Sequence, residues 1–277
     1  MASTRRFPGA ARSPSPAAAA PSRRGRVFIA SCVVLITALA WAYLIHLDRQ
    51  MTSSIEADTT MAKMGMGMNR SWGARDVLFT FVMWAVMMVG MMTAAALPVL
   101  LLFAGTHAQR AKHGVAPAVM SFGLGYLTVW LGFSACAAMA QWALHQGALL
   151  SSTMATSSAY VAGTILIGAG AYQLTPVKDG CLTQCRSPLG FLLSNWRDGS
   201  GGAFLMGLRH GAFCLGCCWA LMGVLFVVGV MNLVWVGALT VFILLEKIGP
   251  MGARVARVGG VALIALGVIS VLEARLS

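Results

Sequence analysis

Residues 77–104 have the sequence VLFTFVMWAVMMVGMMTAAALPVLLLFA, an apolar run without a single charged side chain. A helix that crosses a membrane needs about 20 mostly apolar residues, so this run is long enough for one crossing. The other apolar runs that approach or exceed this length are 27–47, 115–144, 159–174, 204–228, 231–245 and 258–272. The sequence therefore predicts an all-α fold, a polytopic transmembrane bundle of about seven helices.

The composition supports the same fold class and excludes several others. Of the 277 residues, 58% are hydrophobic and 10% are charged, whereas soluble domains average about 25% charged residues. A single soluble core stops growing near this chain length and could not bury so much apolar surface. A soluble enzyme, a disordered protein and a secreted disulfide-rich scaffold are all excluded.

The basic residues alternate along the chain in a way that predicts the orientation in the membrane. The formal net charge is +12, and 15 of the 20 Lys and Arg residues lie in segments 1–26, 105–114, 175–209 and 247–257. These segments fall on one side of the predicted bundle, which the positive-inside rule assigns to the cytoplasm. We therefore expect a multi-pass protein of the inner (cytoplasmic) membrane, with its N-terminus inside and its C-terminus outside. The expected partner is the lipid bilayer, and binding of nucleic acid is not expected.

This topology divides the chain into four parts. Residues 1–26 form a disordered basic cytoplasmic tail, 27–47 an N-terminal transmembrane anchor, 48–76 a Met-rich outer loop, and 77–277 a six-helix metal-binding membrane domain. The start of the anchor also resembles a twin-arginine signal, so cleavage within the first 40 residues is an open alternative.

The run His210-Gly-Ala-Phe-Cys214-Leu-Gly-Cys217-Cys218 carries the most specific chemistry. At 100° per residue, the one His and three Cys side chains fall within roughly 100° of one another on a helix. Thiolates and imidazole are ligands suited to Cu(I) or Zn(II), so this face predicts a metal site, with copper favoured and zinc as the alternative. The competing interpretation is a Gly- and Cys-rich surface that serves only helix packing.

A second pair of cysteines, Cys181 and Cys185, lies in the predicted cytoplasmic connection with CxxxC spacing. In a reducing compartment a structural disulfide is not expected, which leaves a metal pair, a redox pair or two incidental thiols. The connection could fold back and bring this pair to the His210–Cys218 run. The remaining cysteines, Cys32 and Cys136, stand alone in apolar helices and are interpreted as packing residues.

Methionine is abundant, at 18 residues. Met64, Met66 and Met68 alternate with glycine in the outer loop, a spacing typical of extracytoplasmic copper-binding segments, because thioethers bind Cu(I) without deprotonation. They predict an outer capture site. The methionines inside 77–104 follow helical spacing, which favours core packing.

Several motifs together resemble one known family. They are WAVMMxxMM at 84–92, YQLTPVK at 172–178 with the two cysteines that follow it, HGAFCLGCCWALM at 210–222, and GVMNLVW at 229–235 with Glu246-Lys247 after it. The chain is similar over residues 75–248 to a bacterial family of unknown function described as predicted metal-binding integral membrane proteins. The resemblance implies an all-helical membrane protein that binds a metal through these Cys and His positions, and it implies no established reaction.

These observations favour a metal-handling membrane protein over an enzyme. Its partners would be a metal donor or acceptor protein, or subunits of a larger membrane complex. Two alternatives stay open. One is an accessory subunit of such a complex, for which the small-residue run from Gly163 to Gly170 would suit tight helix contacts. The other is a membrane thiol oxidoreductase that uses Cys214 and Cys217 as a CxxC pair.

Overall fold

A computed structural model describes residues 22–63, 72–110, 114–147 and 158–276, with side chains omitted for 52–63. Over these residues the chain forms helices and no β-strands, which confirms the all-α prediction. The helices are α1 Arg23–Lys63, α2 Ala74–Arg110, α3 Val115–Gln146, α4 Ala159–Gln173, α5 Pro176–Arg186, α6 Pro188–Asn195, α7 Gly199–Gly223, α8 Leu225–Val228, α9 Leu233–Ile248 and α10 Gly252–Leu276.

Six of the seven apolar runs each coincide with one helix, and the run 204–228 covers most of α7 and all of α8. Five segments are long and apolar enough to cross a membrane. These five are Arg23–Met51, Ala74–Arg110, Val115–Gln146, Gly199–Val228 and Gly252–Leu276. Helices α4 and α9 have 15 and 16 residues, fewer than the about 20 that a straight crossing requires.

The outer surface of the bundle is apolar, as contact with lipid would require. Val234 is 79% exposed, Val258 is 70% exposed and Met120 is 67% exposed, and many other large apolar side chains share this surface. Soluble monomers rarely expose continuous apolar surface on this scale. The five candidate spans and this surface together indicate a membrane protein.

Helix α1 is longer at both ends than the predicted anchor. It begins at Arg23, inside the predicted tail, and continues to Lys63, so residues 48–63 of the predicted outer loop are helical. No Gly or Pro occurs between Arg26 and Lys63 to end the helix. Residues 1–21 and the predicted capture methionines Met64, Met66 and Met68 lie outside the described residues.

Residues 175–203, predicted as a polar connection, instead contain two helices that pack against the bundle. Helix α5 begins at Pro176, where Thr175 caps it by accepting a hydrogen bond from the Lys178 amide at 3.3 Å. Its Leu182 is buried, and so are Phe191 and Leu192 of α6. This packing places the α5 cysteines beside α7.

Glycines allow the closest helix contacts. At Gly207 of α7, a Cβ atom would clash with the backbone of Phe122 in α3, and at Gly125 of α3 it would clash with the backbone of Phe204. Small residues of this kind let membrane helices approach closely. The Gly163–Gly170 run is used in the same way, because both glycines contact α10 within the chain.

Candidate metal-handling site

Helix α7 buries all four residues of the predicted His and Cys face. The exposed fraction is 3% for His210, 2% for Cys214, and 1% each for Cys217 and Cys218. On the opposite side of the same helix Trp219 is 48% exposed. The helical arc deduced from the sequence is therefore the face that points into the bundle, while a role of these side chains as ligands stays a prediction.

Cys214 lies at the centre of a polar contact group inside the bundle. Its Sγ atom is 2.8 Å from the Nζ atom of Lys247 in α9 and 3.0 Å from the hydroxyl of Tyr126 in α3. The Tyr126 hydroxyl also lies 3.0 Å from the backbone oxygen of Met92 in α2. Helices α3 and α9 thus bring polar atoms to one buried cysteine of α7, and α2 joins this group through Tyr126.

The Lys247 ammonium group contacts two further sulfur atoms. They are Sγ of Cys218 at 3.9 Å and Sδ of Met92 at 4.0 Å. Lys247 is only 7% exposed, so its charge is held away from water. We call the side chains of Met92, Tyr126, Cys214, Cys218 and Lys247 the Cys214 cluster. A buried cation 2.8 Å from the Cys214 sulfur favours the thiolate form of that cysteine.

The thiols of α7 are engaged in hydrogen bonds along their own helix. Cys217 and Cys218 both donate to the backbone oxygen of Cys214, at 3.1 Å and 2.9 Å. Across the part of the chain that the structure describes, no three His, Cys, Asp or Glu side chains are arranged as a ready-formed metal site. Rotation of the two thiols about χ1 would be needed to direct them toward a shared ion.

Helix α5 brings its two cysteines to α7, which was an open possibility from the sequence. Sγ of Cys185 lies 4.0 Å from Sγ of Cys217, and the Cys181 side chain rests against Gly216. Burial raises the pKa of the Cys181 thiol, and the nearby Cys217 raises it further. All seven cysteines are free thiols. Cys185 is therefore in sulfur contact with α7, and Cys181 lies against the α7 backbone beside Cys217.

His210 lies on the same inward face but is surrounded by aromatic rings. Its ring is 6.0 Å from that of Tyr126 and 5.0 Å from that of Phe191, between ring centres. Its buried Nδ1 atom has no hydrogen-bond partner within the described residues. An unpartnered buried nitrogen carries a desolvation cost, which a proton donor or a metal ion would remove.

A buried ion pair fixes α5 to α9 beside the Cys214 cluster. Lys178 of α5 contacts both carboxylate oxygens of Glu246 at 2.8 Å, and Gln173 donates to the same carboxylate at 2.9 Å. Lys178 and Glu246 are 0% and 1% exposed. Arg186 adds a hydrogen bond to the backbone oxygen of Glu246 at 2.8 Å. This network holds both ends of α5 in place.

The methionines of α2 belong to the core, as the packing interpretation expected. Met83, Met87, Met88, Met91 and Met92 are each at most 2% exposed and lie in the main apolar cluster. Met92 differs from the others in that its thioether also reaches Lys247. The α7 residue Met206 is engaged elsewhere, since its sulfur accepts a hydrogen bond from the Arg197 amide at 3.3 Å.

The sequence pattern predicts no functional role for Tyr126, Met92 or Lys247. Each comes from a different helix, and their meeting with Cys214 depends on how these helices align. One sequence signal was present, since the charged pair Glu246-Lys247 directly follows the apolar run 231–245. A charged residue within a helix that is otherwise apolar is a candidate functional residue.

Comparison with known proteins supports a metal-related role. The model of the family PpoB2, described as copper chaperone, matches residues 81–270, which is more than half of the chain. No curated protein and no solved structure matches the chain at the significance required. The matched region contains the Cys214 cluster, the α5 cysteines and the Lys178–Glu246 pair. Because the match covers more than half of the chain, the chain belongs to this copper chaperone family.

Proposed function

We propose that this protein holds Cu(I) as cargo on buried cysteines of α7 within the membrane and passes it to another protein. The observation that carries the proposal is the burial of Cys214, Cys217 and Cys218 on one inward face, with Lys247 2.8 Å from the Cys214 sulfur. Membership of the copper chaperone family supports copper as the cargo. No catalytic residue is part of the proposal.

Sulfur chemistry favours Cu(I) over harder ions. The candidate donors at the inner site are thiols and one thioether, and soft sulfur ligands select Cu(I). The proposed ligands are Cys214, Cys217 and Cys218, with Cys181 and Cys185 as partners. His210 is the fourth α7 candidate through its unpartnered Nδ1 atom. Zinc, the alternative, would require four Cys or His ligands in a tetrahedral arrangement.

The charges of the site support an anionic copper–thiolate complex. Lys178 and Glu246 neutralise each other, which leaves the positive charge of Lys247 directed at sulfur. Cu(I) bound by two thiolates carries one net negative charge. Because an unbalanced charge is costly away from water, Lys247 would stabilise the loaded site by balancing that charge.

The proposed setting is the inner (cytoplasmic) membrane, crossed several times with the N-terminus inside and the C-terminus outside. In this orientation α5 lies on the cytoplasmic side, and Met64, Met66 and Met68 form the outer capture site. The partners we propose are a metal donor or acceptor protein, or subunits of a larger membrane complex. The Gly163–Gly170 run does not favour the accessory-subunit alternative, because it contacts α10 of the same chain.

Metal analysis of the purified protein tests the proposal. Wild type loaded with Cu(I) and washed with a weak chelator is expected to retain copper stoichiometrically. Cys214→Ser/Cys217→Ser/Cys218→Ser is expected to lose nearly all of it, because hydroxyls are poor ligands for soft metals. The matched control is Cys136→Ser, which alters an exposed cysteine on the outside of α3.

The alternatives give different results in the same preparation. Stoichiometric zinc in place of copper would contradict the choice of cargo. A redox-titratable dithiol without bound metal would support the thiol oxidoreductase. Absence of metal together with a stable co-purifying subunit would support the accessory role.

A further inference from the structure

The five clustered cysteines differ in their access to solvent. Cys181 and Cys185 of α5 are partly exposed, whereas Cys214, Cys217 and Cys218 of α7 are buried. Sulfur contacts connect the two sets, since Sγ of Cys185 is 4.0 Å from Sγ of Cys217. The exposure of the thiols therefore decreases from α5 at the surface of the bundle to the α7 cysteines near Lys247.

Gly216 is the residue that lets Cys181 reach α7. A Cβ atom at position 216 would lie 2.8 Å from Sγ of Cys181, closer than a real Cβ contact allows. Gly216 directly precedes Cys217, so the Cys181 sulfur rests on the α7 backbone next to that buried thiol. The contact between Cys181 and α7 depends on the absence of a side chain at Gly216. A substitution at this glycine would therefore remove the contact without removing any sulfur atom.

Helix α5 also differs from the lipid-facing helices in its outer surface. Asp179, Gly180, Thr183 and Arg186 are exposed on it, so the side of α5 away from α7 is polar. The Lys178–Glu246 pair and the Arg186 hydrogen bond hold α5 against α9. Cys181 thus lies on a helix that is held against α9 and is polar on its outer side.

We propose that Cys181 is the ligand that receives Cu(I) on the α5 side of the bundle, the side away from the proposed outer methionines. It accepts the ion from a thiolate donor and passes it to Cys217, which Cys185 contacts, and then to Cys214. The inference rests on the proposed function and adds to it the route of transfer. In the first exchange a Cu–S bond to Cys181 forms as a Cu–S bond to the donor breaks. The Cys181 proton moves to the departing donor thiolate, and copper stays Cu(I) throughout.

Uptake kinetics separate a receiving ligand from a holding ligand. The probe is the Cu(I) complex of bicinchoninate, a nitrogen-donor chelator used in place of the thiolate donor, so the Cys181 proton passes to the buffer. Its loss of colour reports transfer to the detergent-solubilised full chain. Cys181→Ser and Gly216→Ala are both expected to slow uptake about tenfold or more. Gly216→Ala, which keeps every sulfur atom, is expected to reach the wild-type final copper content. Cys136→Ser is expected to match wild type in both measurements.

Gly216→Ala tests whether slow uptake in Cys181→Ser is caused only by the loss of a sulfur atom. It retains every cysteine, and alanine is favourable in a helix, so α7 is expected to fold normally while the flexible Cys181 side chain moves away. Wild-type uptake rates in both variants would overturn the route and leave the proposed function intact. Loss of copper content in Cys181→Ser without a change of rate would likewise overturn it. A wild-type protein that takes up no copper would overturn both.

Discussion

Lys178→Met is expected to lower the free energy of unfolding by about 3–5 kcal/mol, the usual cost of breaking a buried ion pair. The carboxylate of Glu246 is 1% exposed, so it would lose its cation in a place that water cannot reach. The remaining hydrogen bond from Gln173 carries no charge to replace it. The measurement is chemical or thermal unfolding of the purified protein in one detergent.

A double variant distinguishes the ion pair from simple loss of packing. Lys178→Met/Glu246→Leu leaves no stranded charge, and apolar replacement of a buried pair is often close to neutral. We expect the double variant to be markedly more stable than Lys178→Met alone. If the two were equally unstable, the ion pair would not be the source of the effect, and the anchoring of α5 would need another cause.

Lys247→Leu is expected to weaken Cu(I) binding by about 100-fold or more. Its ammonium group lies 2.8 Å from Sγ of Cys214 and 3.9 Å from Sγ of Cys218, the atoms that we propose as copper ligands. Loss of about 3 kcal/mol of charge compensation in a buried site corresponds to a factor of roughly 100 in affinity. Competition with a chelator of known Cu(I) affinity measures the change.

Two further variants control this result. Lys247→Arg keeps the positive charge and is expected to retain much of the affinity, although the larger guanidinium must fit the same space. Arg254→Gln removes an exposed positive charge at the start of α10 and is expected to bind copper as wild type does. Wild-type affinity in Lys247→Leu would exclude charge compensation by this residue.

Local sequence pattern was sufficient to predict the helices of the seven apolar runs and the inward face of α7, but not α5 and α6. Each depends on residues within a few turns of one another: apolar runs give the helices, and 100° per residue places His210, Cys214, Cys217 and Cys218 on one side. The length of α1 was underestimated because hydropathy falls after Leu47, although nothing in the chain ends the helix there.

Contacts between helices could not be predicted in the same way. Tyr126 meets Cys214 because Gly125 and Gly207 bring α3 and α7 close together, and the alignment of two helices is not encoded in either one alone. Lys247 was visible as a charge at the end of an apolar run. Its sulfur neighbours were not, because they depend on the packing of α9 against α2 and α7.

X-ray absorption at the copper edge of the Cu(I)-loaded protein tests the central claim most directly, because it reports the atoms bound to the metal. The proposed site predicts that sulfur atoms dominate the first coordination shell and that Cys214, Cys217 and Cys218 retain one equivalent of copper. A first shell dominated by nitrogen or oxygen, or one that is unchanged in Cys214→Ser/Cys217→Ser/Cys218→Ser, would contradict the claim that buried α7 thiols hold the cargo.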